Sequence, residues 1–368
     1  MAAFCLDFHA AYQCRHSGAC CDSWSVPAEP AVVEIVRARS IRRQGNAGSL
    51  FVRSAGAHDE ELWTIARDTR GECVFFDRQG GGLCVIHRDV GEEALPSACR
   101  HFPRKVLHDA RGTLISLSHF CPTAAAMLLA GREPSIVEAR PPLRLESAME
   151  GLDARHALPP VLRPGMLCDV DGYESWERAG VASFARSQPS YARCLDDLAA
   201  VTEIVRQWTP GDRSLSDSVR IAFAAGNQDA PAPWCDARAI QRVARLTAGS
   251  AGDDLAPVAD FDAQRRDRLG IAPIDWFDRG MKNYLAARLF GNWIAYQGQG
   301  LRSIVEWVRT CAAVVHHFVL RRLIGSALPL DRCGFIESVR SADLLLLHVL
   351  DSQTFAHDIA RVEESSQR

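Results

Sequence analysis

Cysteine crowding is the feature that most constrains this chain. Thirteen cysteines occur, at positions 5, 14, 20, 21, 73, 84, 99, 121, 168, 194, 235, 311 and 333, and eight of them fall within the first 121 residues. A secreted disulfide scaffold carries such numbers, but a chain of 368 residues buries a large core and needs no covalent staples. The start, Met1-Ala2-Ala3-Phe4-Cys5-Leu6-Asp7, has neither a basic region nor an apolar one, so a signal peptide is not expected. In a reducing cytosol, a local crowd of cysteines is more often metal-binding or catalytic. A cytoplasmic metalloprotein is therefore the expectation.

Composition narrows the partners. A net charge of −3 gives no reason to expect nucleic acid or an anionic membrane. The longest apolar runs are residues 124–130 and residues 344–350, the latter interrupted by His348. Both fall well short of the ~20 residues of a membrane span.

The patterning predicts an α+β protein, mainly α. An N-terminal cysteine-rich metal module with short β-hairpins occupies 1–130, and an all-α C-terminal domain occupies 171–368. Residues 131–170 hold six of the 18 prolines and read as a connector. Within the module, 29–43 has helical spacing and 62–66 reads as a strand. Residues 74–76 and 83–86 flank Asp77-Arg78-Gln79-Gly80-Gly81-Gly82, a hairpin signal. Residues 106–108 and 114–117 flank Asp109-Ala110-Arg111-Gly112, a second one. Residues 87–95 are expected as one helix, and 122–129 as another with Pro122 in its first turn. Apolar residues at i, i+3 and i+4 predict helices over 174–187, 191–208, 215–225, 236–247, 274–296, 301–323 and 331–350.

The candidate metal ligands are Cys14, Cys20, Cys21, Cys73, Cys84, Cys99 and Cys121. Thiolates are the soft donors that hold zinc or the irons of an iron–sulfur cluster. The first hairpin brings Cys73 and Cys84 together. Cys121 opens a helix, where unpaired backbone N–H groups favour a thiolate. Adjacent Cys20 and Cys21 do not easily reach one tetrahedral ion, which suggests a multinuclear cluster or one ligand with a spare thiol. Arg15, Arg100, Arg104 and Lys105 are placed to offset thiolate charge. No C-x₂-C pair occurs, so the metal stays open between an iron–sulfur cluster and zinc.

 If the metal is an iron–sulfur cluster, the 4Fe-4S kind is the expectation, since four thiolates suffice to hold one.

Other residues near the cysteines have ordinary readings. Asp77, Glu92 and Glu93 are acids near the cysteines, of which Glu92 and Glu93 read mainly as a solvated helix face, and His16, His87, His101 and His119 read as surface or hydrogen-bonded histidines. Cys168, Cys194, Cys235, Cys311 and Cys333 stand singly and read as core thiols. Gly80-Gly81-Gly82 reads as a turn, and no strand–Gly-x-Gly–helix fingerprint occurs. The residues themselves therefore assign neither a cofactor pocket nor a catalytic group.

Four fragments carry a family resemblance. They are Tyr12-Gln13-Cys14 with Gly18-Ala19-Cys20-Cys21-Asp22-Ser23-Trp24-Ser25-Val26; Cys73-Val74-Phe75-Phe76-Asp77 with Leu83-Cys84-Val85-Ile86-His87; Gly91-Glu92-Glu93-Ala94-Leu95-Pro96-Ser97-Ala98-Cys99-Arg100-His101-Phe102-Pro103-Arg104; and Ser116-Leu117-Ser118-His119-Phe120-Cys121-Pro122-Thr123-Ala124-Ala125. In this order they resemble the zinc- or iron-chelating cysteine-cluster proteins and, among them, the flagellin lysine-N-methylases. Asn283-Tyr284-Leu285 with Phe290 is a weaker echo. The resemblance implies an iron–sulfur cluster on these cysteines, and methyl transfer from S-adenosylmethionine to lysines of a protein substrate such as flagellin. Two other readings stay open: a non-enzymatic protein with a structural metal, and a thiol redox or metal-trafficking protein.

Overall fold

The computed structural model describes residues 2–15, 17–18, 21, 26–39, 49–55, 61–79, 81–141, 143, 151–211, 213–226, 237–248, 275–298, 300–325 and 329–366. The fold is α+β and mainly α, as expected. Its organising element is a five-stranded sheet ordered Leu152–Asp153, Arg104–Asp109, Gly112–Leu117, Ala3–Leu6, Ile136–Glu138. The second predicted hairpin forms its centre, pairing from Arg104 opposite Leu117 to Asp109 opposite Gly112. Ala3–Leu6 runs parallel to Gly112–Leu117 and antiparallel to Ile136–Glu138. This strand was not anticipated. It lies inside the sheet with Ala3, Cys5 and Leu6 all buried, so it lacks the polar–apolar alternation that marks a half-exposed strand.

A smaller sheet of Pro27–Ala28, Glu61–Ile65 and Phe51–Ala55 has Glu61–Ile65 at its centre. Helix Pro30–Ala38 packs beside it through Val32, Val33 and Val36. These side chains share a core with Phe75, Ile86 and Leu95. Other residues of the first 130, Cys5, Ile115 and Leu117 among them, belong to a separate cluster. The first predicted hairpin pairs Phe76–Asp77 with Leu83–Cys84.

The helical part follows the predicted spacing, and side-chain caps set several starts. Asp169, Ser190, Ser214 and Asp331 each accept a backbone N–H at the head of Val170–Phe184, Tyr191–Arg206, Leu215–Ala225 and Arg332–Leu344, satisfying donors that a helix leaves unpaired. Three expected helices are interrupted. Residues 87–95 divide into Val85–Asp89 and a 3₁₀ turn, Glu92–Ala94, at Gly91 with φ +112°. Residues 274–296 divide into Asp275–Leu289 and Ile294–Gln297 at Gly291, with φ +60°. Positive φ is incompatible with a continuing right-handed helix. Residues 331–350 pass from an α-helix into a π-helical turn, Leu345–Val349. Residues 40–48, part of the first predicted helix, lie outside the described residues.

Residues 131–170 contribute four short strands, Ile136–Glu138, Leu152–Asp153, Val161–Arg163 and Met166–Leu167. One hydrophobic cluster joins sheet residues Leu6, Leu107 and Leu114 with Trp176, Tyr284 and Phe335 of the helices. Polar ties reinforce the contact. Trp293 Nε1 donates to the Val106 carbonyl at 3.0 Å, and Arg111 pairs with Glu177 at 2.7 Å. No helix among the described residues is long and apolar enough to cross a membrane.

Candidate metal centre

The strands and turns of the module enclose a cavity of about 430 Å³ lined by Cys14, Cys21, Cys73, Cys84, Cys99 and Cys121. Six of the seven predicted ligands thus face one space. The seventh, Cys20, lies outside the described residues.

Each thiol is placed by a different local device. Cys21 donates its N–H to the Gly18 carbonyl and accepts the Cys73 N–H, both at 2.8 Å. The second of these bonds ties the first fragment to the second, across about fifty residues of chain, in the same way that a ladder ties two strands. Cys84 sits opposite Phe76 in the hairpin and caps helix Val85–Asp89. Cys99 lies in helix Ser97–His101, whose Ser97 N–H donates to the Glu29 carboxylate at 3.1 Å. Cys121 is buried and precedes Pro122 at the head of Pro122–Met127. The Tyr12 hydroxyl lies 3.7 Å from the Cys121 sulfur. Burial, and then Cys121 itself, push that phenol above its usual range.

Gly18 is required by the turn that carries Cys21. Its φ is +71°, and a Cβ there would run into the Phe76 ring. Gly18→Ala is therefore expected to cost about 1–3 kcal/mol and to lower metal content in the same preparation. Urea denaturation and metal analysis of the variant check this.

Charge around the cavity follows the sequence reading in part. Arg15, Arg100 and Arg104 line it, and Arg104 lies over the Tyr12 ring at 5.6 Å. Lys105 does not line it and faces another cavity. Neighbouring strand residues point to opposite faces, so Arg104 and Lys105 could not both serve the cysteines. Glu92 and His87 also line the space, whereas Glu93 is fully exposed. Asp77 is buried and pairs with Arg88 at 2.6 Å. His101 is buried near Ser97, and His16 lies outside the described residues.

Among the described residues, no three His, Cys, Asp or Glu side chains are grouped closely enough to hold one metal ion. The thiols frame a volume rather than converge on a point.

The remaining cysteines divide by burial. Burial pushes the thiols of Cys5 and Cys168 up to about 12 and that of Cys194 to about 11. Cys311 is also buried and Cys333 is exposed. Cys235 lies outside the described residues.

A buried polar network behind Cys121 was not foreseen. The Asp343 carboxylate, wholly buried, accepts the His119 N–H at 2.5 Å and the Tyr284 hydroxyl at 2.9 Å. Arg288 lies 3.5 Å from the same carboxylate and donates to the Leu117 carbonyl at 2.6 Å. His9 and His119 approach to 3.1 Å through their Nε2 atoms. Its members come from positions 9, 119, 284, 288 and 343, so no local motif marks them. His119 in the fourth fragment and Tyr284 in the weak C-terminal echo were the available signals.

Residues 13–122 match the model of the CxxCxxCC family, described as a putative zinc- or iron-chelating domain. Neither a curated protein nor a solved structure matches the chain. The match covers the cysteine-lined cavity and supports a metal-binding cysteine cluster.

Proposed function

We propose that the chain binds an iron–sulfur cluster of the 4Fe-4S kind through thiolates drawn from Cys14, Cys20, Cys21, Cys73, Cys84, Cys99 and Cys121. The observation that carries this reading is the single cavity onto which six of these cysteines open. The donors fit the group, because thiolates are its usual ligands. A polynuclear cluster also spans a framed volume, whereas a single ion needs its donors drawn to one point. When bound, such a cluster supplies electron transfer tuned by charge and hydrogen bonds at its sulfurs. The chain's own part is to hold the thiols on short capped elements. Arg15, Arg100 and Arg104 offset their charge, and the Tyr12 hydroxyl is set against Cys121.

Iron, zinc and acid-labile sulfide measured on protein purified without oxygen test the reading. About four irons and four sulfides per chain, with broad absorption near ~400 nm, are expected. Stoichiometric zinc without sulfide or colour would replace the cluster with a structural zinc site. The motif order over residues 8–130 further supports methyl transfer from S-adenosylmethionine to protein lysines as the activity. Equilibrium dialysis against labelled S-adenosylmethionine tests that step separately. No retained label removes the enzyme reading and leaves the metal reading intact.

A further inference from the structure

Lys105, turned away from the cysteines, enters a second cavity of about 190 Å³. That space holds several water-sized occupants and is large enough for a small organic molecule. Two cations line it, Lys105 and Arg288, together with the rings of Trp293 and Trp307 and the side chains of Leu346 and Leu350. Among the described residues the Lys105 ammonium makes no hydrogen bond or ion pair; its carbonyl accepts from the Ser116 hydroxyl. Its ammonium lies 4.4 Å from the centre of the Trp293 ring. Burial, and then the neighbouring Arg288, lower it to about 8.

Arg288 is buried at 4% exposure. Its terminal nitrogens are committed to Leu117, His119 and Asp343. Its Nε has no hydrogen-bond partner among the described residues. A buried guanidinium nitrogen without a partner is costly, and native proteins rarely leave one so. Asp351 also lines the cavity, but its carboxylate accepts the Thr354 N–H and hydroxyl, both at 2.7 Å. The Asp343 charge is balanced by Arg288. Among the described residues neither Asp343 nor Asp351 forms an ion pair with the Lys105 ammonium.

We propose that this cavity binds a small organic carboxylate, with its anionic end at Lys105 and Arg288 and an apolar body against Trp293 and Trp307. Such an anion supplies the acceptors that both cations lack, and the rings give its body a flat apolar wall. The walls favour this ligand over bare phosphate, which would leave the rings without a contact. The site is independent of the metal reading, since none of the six described candidate ligand cysteines lines this cavity.

Benzoate is the probe, titrated into the full chain as purified, with tryptophan fluorescence and calorimetry as readouts. Saturable binding is expected. Lys105→Met should weaken it at least ~10-fold, the effect of losing one charge-assisted hydrogen bond, and Lys105→Arg should restore most of it. Circular dichroism and metal content should match the parent in both variants. Should Lys105→Met fail to fold, Trp293→Leu keeps the charge and should still weaken benzoate. No saturable binding overturns the proposal. So does benzoate binding that is unchanged in Lys105→Met or Trp293→Leu. Inorganic phosphate binding as tightly as benzoate would overturn the apolar half of the site.

Discussion

Replacing Asp343 with asparagine is expected to cost about 3–5 kcal/mol of stability, the range for removing one partner of a buried ion pair. Asp343 is wholly buried and serves three side-chain or backbone partners at once. It accepts from His119 beside the cysteine site and from Tyr284 in helix Asp275–Leu289, and it balances Arg288. Asparagine keeps the shape and loses the charge. Arg288 is then left buried without a counter-ion, and one oxygen acceptor becomes a donor facing other donors. Burial by itself pushes the Asp343 carboxyl up. Arg288 and the bonds from His119 outweigh it and hold the group well below the usual carboxylate range. A depressed folded value contributes stability that is complete above the unfolded value of about 4 and is lost as pH falls through the folded one. The gap between parent and Asp343→Asn should therefore stay constant in neutral solution and narrow in acid. Urea midpoints across pH measure this. A gap below about 1 kcal/mol at neutral pH, the scale of an ordinary exposed ion pair, would mean that the network does not hold the two parts together.

The second large effect is on the metal. Cys84→Ser combined with Cys99→Ser is expected to reduce metal content to about a tenth or less, because four thiolates are needed and a serine hydroxyl is a poor ligand for soft metals. Cys168→Ser and Cys194→Ser should keep full metal content, since both residues are buried in the helical core away from the cavity. The double variant should also become sensitive to protease within residues 26–99. The cluster around Val33, Phe75 and Ile86 is small, and a bound metal that is lost takes its binding energy from the fold. Full metal content in the double variant would exclude Cys84 and Cys99 as necessary ligands. Limited proteolysis followed by mass analysis separates that outcome from general unfolding.

Much of the site was legible before any tertiary structure. A thiol has few roles in a reducing environment, so a crowd of them at turns narrows the chemistry at once. The hairpin between Cys73 and Cys84 follows from local turn chemistry, and so does the helix start at Pro122. The helical part was legible as well, because apolar spacing at 3.6 residues is a local property. Its breaks at Gly91 and Gly291 depend on a positive φ, which glycine permits and does not by itself require.

The sequence by itself determined the mainly helical fold and the approximate bounds of most helices, since each depends on neighbours within a few residues, and it supplied the crowd of cysteines from which the proposed ligands are drawn. Only the tertiary structure decided that Ala3–Leu6 lies between Gly112–Leu117 and Ile136–Glu138, because pairing partners so distant are chosen by the whole core. It alone sent Arg104 to the cysteines and Lys105 to the tryptophan-lined cavity. Strand alternation guarantees that the two diverge, but which face meets which cavity is set by the packing of helices onto the sheet. The meeting of His9, His119, Tyr284, Arg288 and Asp343 was likewise beyond local reading. Buried charges must find partners wherever the fold brings them, and no spacing rule in the chain records that requirement.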